Sequence, residues 1–197
     1  MKKLAILLFA TTALALLIIG CSTPKTLDQV QGLGKEEAAQ IAAAAVRQYY
    51  HVSVDTSDRD ITIEDPTKLL DAATGESIYR GVPVHALQKG EAKSGDISGY
   101  HAIIEPRTKQ LLSLSIDVIG TDGAKATKSI PESELEKAAA DFVRSQNLLA
   151  SSDFQLVRSS EVNDQDVKRY FYYTDGHNAI AIGVDTSLNQ VVTFTYD

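Results

Sequence analysis

The strongest constraint on the fold is a segment that occurs twice, 80 positions apart. Residues 110–117 read QLLSLSID and residues 190–197 read QVVTFTYD, so every position matches in chemical type. In both copies apolar residues alternate with serine or threonine, the two-residue period of a β-strand with one buried face. The positions predicted to point into the core are Leu112, Leu114 and Ile116 in the first copy, and Val192, Phe194 and Tyr196 in the second. The sequence therefore predicts two copies of one folding unit.

Each of these strands is preceded by a second apolar segment, Tyr100–Ile104 in the first copy and Ala179–Val184 in the second. The polar sequences Glu105–Lys109 and Asp185–Asn189 separate the two apolar segments and are rich in turn-forming residues. Each copy is therefore predicted to end in a β-hairpin.

Each copy is also predicted to begin with a helix, because Glu37–Tyr50 and Glu134–Asn147 carry apolar residues at three- and four-residue spacing. Ser129–Glu132, with Pro131 in between, has the spacing of a capping box and predicts the start of the second helix. Shorter apolar segments supply the predicted middle strands, which are Ile61–Ile63, Val82–Gln88, Phe154–Ser159 and Lys168–Tyr173.

We therefore predict an α+β fold with two tandem repeats, each a helix packed on a small antiparallel sheet. The predicted boundaries are residues 35–118 for the first repeat, 119–128 for a linker and 129–197 for the second repeat. The first copy is longer between its helix and its last strand, and we assign the extra residues to Asp65–Tyr79 and Lys89–Gly99.

The hairpin at the end of the chain carries a resemblance to a known family. Residues 180–192 read IAIGVDTSLNQVV, two apolar strands joined by an aspartate and turn residues, with Asn189 where glycine is usual. Glu105 and Lys109 occupy the matching positions of the first copy and fit less well. The helix, the strands and this hairpin resemble the PepSY domain family, as a tandem pair covering most of residues 35–197. The resemblance implies a non-enzymatic module that restrains or modulates peptidases or other envelope proteins. An unrelated duplicated α+β unit, or a cystatin-like one, has much the same pattern.

The first 21 residues have the composition of an export signal. Lys2 and Lys3 precede an uncharged run, Leu4–Gly20, and Cys21 is the only cysteine of the chain. A cysteine directly after a small residue resembles the lipobox of bacterial lipoproteins, in which the cysteine is diacylated and becomes the new N-terminus. The resemblance implies a signal peptide of 20 residues, lipidation of Cys21 and a polar tether up to residue 34, which places the protein on the extracytoplasmic face of the cell membrane. The alternatives are an ordinary secretory signal and an uncleaved anchor, since 17 uncharged residues are near the lower limit for a membrane span.

The composition and the spacing of reactive residues exclude several classes of function. The net charge of −7, which becomes −9 without the two leader lysines, argues against nucleic acid as a partner. Four histidines are present, but none has metal-ligand spacing, although His85 and His101 lie on predicted strands that could bring them face to face. No Gly-x-Ser-x-Gly or phosphate-binding loop is present. We therefore expect no catalytic residue, no metal and no cofactor, and an envelope hydrolase is the least favoured alternative.

An aromatic run, Tyr170 to Tyr173, gives the candidate binding residues. Tyr170 and Tyr172 share one face of the predicted strand, and Phe171 and Tyr173 share the other. One pair must lie away from the helix unless the other repeat or a loop covers it, and exposed tyrosines favour contact with a partner. We therefore predict Tyr170, Tyr172 and Tyr173 as candidate residues for binding an envelope protein. The alternative is a small-ligand pocket between the repeats.

Overall fold

The computed structural model describes residues 33–64, 67–70, 77–91, 96–119, 130–161 and 167–196. Cys21, the predicted signal peptide and most of the predicted linker lie outside these ranges. Over the described residues the fold is α+β, with two α-helices and nine antiparallel strands. Neither described helix combines the length and the apolar character that a membrane crossing requires.

The elements lie close to their predicted positions. In chain order they are α1 (Lys35–Tyr50), β1 (Arg59–Ile63), β2 (Thr67–Leu70), β3 (Ser77–Gln88), β4 (Ile97–Ile104), β5 (Leu111–Val118), α2 (Glu132–Ser145), β6 (Gln155–Ser159), β7 (Lys168–Thr174), β8 (Ala179–Asp185) and β9 (Gln190–Tyr196). A single 3₁₀ turn, Thr56–Asp58, precedes β1. Both predicted helices and all the predicted strands are present, whereas β2 lies in a stretch that the sequence analysis assigned to an insertion.

The strands form one sheet in the order β1-β3-β4-β5-β9-β8-β7-β6, with β2 pairing with β3. The small sheet predicted for each repeat is therefore part of one larger sheet, because β5 and β9 pair directly. Their register places Leu114 opposite Phe194, Ser113 opposite Thr195 and Ser115 opposite Thr193. Leu114 and Phe194 are equivalent positions of the repeated segment, so the pairing is symmetric about them. A free edge on either strand would leave its backbone groups unpaired, and the junction removes both edges at once.

Both helices cover the same face of this sheet. The Phe194 ring lies 4.8 Å from the Tyr49 ring of α1 and 6.1 Å from the Phe142 ring of α2, measured between centroids. One core therefore runs under both helices and across the β5–β9 junction. Its largest fully buried side chains are Tyr100, Phe171, Phe194, Ile104, Leu114, Ile116, Ile180, Ile182, Val46, Val84, Val143 and Val184.

The predicted core positions of the repeated segment are buried near the junction and partly exposed at its ends. Leu114, Ile116, Val192 and Phe194 are buried, as predicted. Leu112 and Tyr196 are only half-buried. Leu112 is the unpaired residue of a β-bulge against β4, where the strict alternation of faces is interrupted.

The two predicted hairpin turns have the same local structure. The carboxylate of Glu105 accepts hydrogen bonds from the backbone N–H groups two and three residues later, and the carboxylate of Asp185 does the same. Lys109 and Asn189 both adopt left-handed backbone conformations, with φ of 61° and 50°. Asparagine tolerates this conformation better than most residues, which explains why Asn189 can stand where glycine is usual. Glu105 and Lys109 therefore form the same turn despite their weaker match in sequence.

Ser129 of the predicted capping box lies outside the described residues, and the described start of α2 has a different N-cap. The helix begins at Glu132 after an N-cap at Pro131, which makes no side-chain capping bond. The carboxylate of Glu132 instead accepts a hydrogen bond of 2.6 Å from the buried guanidinium of Arg169 and one of 3.2 Å from Ser159 Oγ. Leaving the buried charge of Arg169 unpaired would cost more free energy than leaving a backbone N–H at the helix start without a side-chain acceptor. The Glu132 carboxylate therefore pairs with Arg169.

We expect Phe194→Ala to lower the free energy of unfolding by about 3–5 kcal/mol, the usual cost of emptying a buried aromatic site. Because Phe194 contacts both helices, the whole chain should unfold in one transition that shifts as a unit. Urea denaturation followed by circular dichroism measures this shift. Val157→Ala on β6, where the side chain is 63% exposed, is the control and should change the free energy of unfolding by no more than about 0.5 kcal/mol. Two transitions, of which only one moves, would show that the halves fold independently.

Candidate functional site

The face of the sheet opposite the two helices is the candidate binding surface, and we call it the helix-free face. Side chains alternate between faces along each strand, so this surface is built from the positions between the core residues. Two rows of paired residues cross it. The first consists of Thr62, His85, His101, Ser115, Thr193, Gly183 and Tyr170. The second consists of Pro83, Ile103, Ser113, Thr195, Ala181 and Tyr172.

Tyr170 and Tyr172, two of the three predicted binding residues, lie half-buried on the helix-free face. The Tyr170 ring lies over Gly183, where an added Cβ would come within 2.9 Å of its Cε1 atom. The guanidinium of Arg158 lies 3.8 Å from the centroid of the Tyr172 ring, a cation–π contact. The surface therefore presents two aromatic rings. The Tyr170 ring is supported by the backbone at Gly183, and the Tyr172 ring by the cation of Arg158.

Tyr173 does not belong to this surface. Its side chain is only 2% exposed and packs in the core, with its ring 5.4 Å from that of Phe154. Its hydroxyl donates a hydrogen bond of 3.2 Å to the backbone oxygen of Glu136 in α2. Burial raises the pKa of Tyr173 well above its ordinary value. Unlike Tyr170 and Tyr172, Tyr173 is therefore buried, since the alternation of the strand directs its ring towards α2.

Two pairs of hydroxyl groups occupy the centre of the helix-free face, at the β5–β9 junction. Ser113 Oγ and Thr195 Oγ1 lie 2.8 Å apart, and Ser115 Oγ and Thr193 Oγ1 are separated by the same 2.8 Å. Lys168 at the start of β7 reaches this centre, where its Nζ lies 3.5 Å from Ser115 Oγ. The sequence pattern does not single out these polar residues, because their proximity depends on the pairing of β5 with β9.

His85 and His101 face each other across β3 and β4, as the sequence analysis anticipated. Their rings stack with centroids 4.3 Å apart, and His85 Nε2 lies 3.2 Å from Glu64 Oε1. Burial and the neighbouring His85 lower the pKa of His101, while Glu64 and Asp117 partly oppose this change. Within the described ranges, no three side chains of His, Cys, Asp or Glu are grouped so that they could hold a metal ion.

The strand β6 forms one edge of the sheet and, among the described strands, pairs only with β7. Its apolar residues Leu156 and Val157 are 38% and 63% exposed. The register against β7 shifts between Leu156 and Arg158, which makes Val157 the residue of a bulge. A bulge of this kind twists an edge strand and disfavours the addition of another strand. The edge is therefore a poorer docking surface than the face.

A second candidate site is an open groove of about 380 Å³ between the ends of the two helices. Tyr49, Tyr50 and Phe142 line it together with the turn before β9, and the Tyr50 and Phe142 rings stack 5.9 Å apart. The Tyr50 hydroxyl is buried and has no hydrogen-bond partner among the described residues. This groove lies on the helix side of the sheet, and the predicted small-ligand pocket between the repeats stays a prediction.

Comparisons with known proteins assign no family to the chain. Neither a protein-family model nor a curated protein matches it. Among solved structures it is similar to the Bacillus megaterium YpeB C-terminal domain, with 12% sequence identity and a TM-score of 0.48. The match covers 83% of this chain but 63% of that domain, which is less than two thirds of the latter's length. No functional conclusion follows from a similarity at this level.

We expect the histidine pair to make the fold less stable in mild acid. The pKa of folded His101 lies below its ordinary value of 6.5, so the unfolded chain takes up this proton first as the pH falls. The stabilising contribution of neutral His101 is therefore complete above about pH 6.5 and decreases as the pH falls towards the folded-state pKa.

Urea denaturation at about pH 7.5 and about pH 5.5 measures this contribution. His101→Gln should lose less stability than the natural chain between the two pH values, since glutamine does not titrate. An equal loss in both proteins would assign the pH dependence to other groups.

Proposed function

We propose that this chain is a membrane-anchored lipoprotein whose helix-free face binds a protein partner outside the cytoplasm and modulates it. In this proposal residues 1–20 are a signal peptide, Cys21 carries the acyl chains, and the described residues form a non-enzymatic module of two PepSY-like repeats. A peptidase or another enzyme of the cell envelope is the partner that the family resemblance implies.

Three features of the fold support the two-repeat part of this proposal. The hairpin turns at Glu105 and Asp185 use the same hydrogen bonds, 80 positions apart. The bulged residues Leu112 and Val192 are separated by the same 80 positions. The first turn and bulge belong to β4 and β5, and the second turn and bulge belong to β8 and β9. These two strand pairs lie next to the β5–β9 junction, one on each side.

The observation that carries the binding proposal is the pair Tyr170 and Tyr172 on a sheet face that bears no described helix. Tyrosine and arginine are enriched in protein interfaces, because they combine a large contact area with hydrogen-bonding groups. Arg158 lies directly over Tyr172, so the two residue types occur together. Both rings are partly pre-ordered, by Gly183 and by Arg158, which lowers the entropy cost of binding.

Site-specific photo-crosslinking of the full chain in its membrane tests this proposal. A photoreactive amino acid at position 172 should yield a discrete crosslinked protein, whereas the same amino acid at Lys137 on the exposed side of α2 should not. Tyr172→Ser should abolish capture from a crosslinker placed at position 170, with a change of melting temperature that is small because Tyr172 is only half-buried. Capture of the same protein from Lys137, or loss of capture only together with unfolding, would contradict the assignment.

The groove between the helices supports a second candidate function, the binding of a small ligand. The observation that favours it is the buried Tyr50 hydroxyl, which lacks a partner among the described residues and would gain one from a ligand acceptor. Such groups are usually satisfied in native proteins.

A screen of small molecules by melting temperature distinguishes this second function from partner binding. A ligand in the groove should raise the melting temperature in proportion to its occupancy, and Tyr50→Phe should weaken that rise. Tyr50→Phe alone should leave the melting temperature unchanged or raise it, because it removes an unpartnered buried hydroxyl. A ligand effect that Tyr50→Phe does not alter would place the ligand elsewhere.

A further inference from the structure

The centre of the helix-free face contains a cation, Lys168, that has no counter-charge among the described residues. Lys168 is half-buried at the start of β7, on the same face as Tyr170 and Tyr172. Its Nζ lies 3.5 Å from Ser115 Oγ, which lies 2.8 Å from Thr193 Oγ1. No carboxylate among the described residues forms an ion pair with Lys168, although the chain as a whole has a net charge of −7.

The cluster of Lys168, Ser115 and Thr193 has more hydrogen-bond donors than the described residues supply with acceptors. An ammonium group has three donors and no acceptor, and each hydroxyl adds one donor. One hydroxyl proton is used between Ser115 and Thr193, and one ammonium proton is directed at Ser115. Two ammonium protons and one hydroxyl proton therefore meet no acceptor among the described residues. A carboxylate supplies both the missing acceptors and the missing negative charge.

The equivalent hydroxyl pair on the other side of Leu114 and Phe194 shows that this arrangement is not a requirement of the strand pairing. Ser113 Oγ donates 3.2 Å to the backbone oxygen of Phe194 and lies 2.8 Å from Thr195 Oγ1, so its capacity is used inside the protein. The neighbours of this pair along the row are apolar, with Ile103 beside Ser113 and Ala181 beside Thr195. The two pairs are equivalent by position, and within the described ranges a lysine reaches only the pair formed by Ser115 and Thr193.

The surroundings of Lys168 indicate that the carboxylate belongs to a polypeptide. Tyr170 lies in the same row as Ser115 and Thr193, and Tyr172 lies in the next row under the guanidinium of Arg158. Arg158, like Lys168, has no ion-pair partner among the described carboxylates. Two cations and two aromatic rings therefore lie side by side on an acidic protein, which is a surface complementary to an acidic segment with apolar or aromatic side chains.

We propose that Lys168, Ser115 and Thr193 form a binding site for a carboxylate side chain, and that an acidic segment of the protein partner supplies it while lying across Tyr170 and Tyr172. The inference rests on the proposed function, since it specifies the chemistry of the partner at the same face. It adds a charge requirement that aromatic contact alone does not impose.

Fluorescence anisotropy with the full-length chain in detergent micelles tests the charge requirement. The probes are two fluorescein-labelled peptides, one alternating glutamate and valine, the other alternating glutamine and valine. We expect the glutamate peptide to bind about three- to tenfold more tightly, the range of a partly exposed charged hydrogen bond. Lys168→Met, which keeps the length of the side chain without its charge, should remove this preference.

Ser115→Ala and Ser113→Ala form a matched pair of variants. Ser115→Ala should weaken binding of the glutamate peptide by a few-fold, whereas Ser113→Ala should leave it unchanged, because the Ser113 hydroxyl is used internally. Melting temperatures of all three variants establish that each one folds. Equal binding of the two peptides, no binding of either, or an undiminished preference in Lys168→Met would overturn the proposal.

The failure of this inference differs from the failure of the proposed function. If photo-crosslinking from position 172 still captures a partner in Lys168→Met, the face binds a protein and the carboxylate site is wrong. If acetate at equal carboxylate concentration displaces the glutamate peptide fully, the site takes any free carboxylate and the assignment to a partner segment is wrong. If position 172 captures nothing while the glutamate preference holds, the carboxylate site stands and the proposed partner at this face falls.

Discussion

The pairing of β5 with β9 is the interaction on which the rest of the structure depends. It joins a five-stranded half, β1 to β5, and a four-stranded half, β6 to β9, into a single sheet. It also buries Leu114 against Phe194 under both helices. Without it, each half would have one helix on a narrow sheet, an exposed strand edge and an incompletely covered core. The junction therefore supplies backbone pairing, apolar burial and the contact between the helices at once.

The two faces of the sheet acquire different properties at this junction. On the helix side, Phe194 connects the aromatic residues of α1 and α2 into one apolar cluster. On the other side, the same strands bring four hydroxyl groups together, and Lys168 reaches one pair of them. A strand whose residues alternate between leucine or phenylalanine and serine or threonine thus builds both the core and the centre of the candidate site.

Sequence periodicity was sufficient to predict the elements but not their assembly. The alternation in residues 110–117 and 190–197 located two strands, and the helical spacing in Glu37–Tyr50 located a helix, because these patterns depend on neighbours along the chain. The merging of the two sheets depends on contacts between residues about 80 positions apart, which no local pattern encodes. The same reason explains why only part of the candidate site could be predicted from the sequence. Tyr170 and Tyr172 were found from their alternation, whereas Lys168, Arg158 and Ser115 gain meaning only from their neighbours on other strands.

The symmetric register at Leu114 and Phe194 has a further consequence for how the two halves of the sheet assemble. An edge that pairs antiparallel with its own equivalent is self-complementary, the property of an isologous subunit interface. The two halves of the sheet therefore meet in the way that two subunits of a symmetric dimer do, although both belong to one chain. The connection converts a bimolecular association into an intramolecular one, so the interface forms at a fixed effective concentration however dilute the protein is in its compartment. Within one chain the two halves can differ in sequence, and among the described residues a lysine lies beside the pair formed by Ser115 and Thr193 and not beside the pair formed by Ser113 and Thr195.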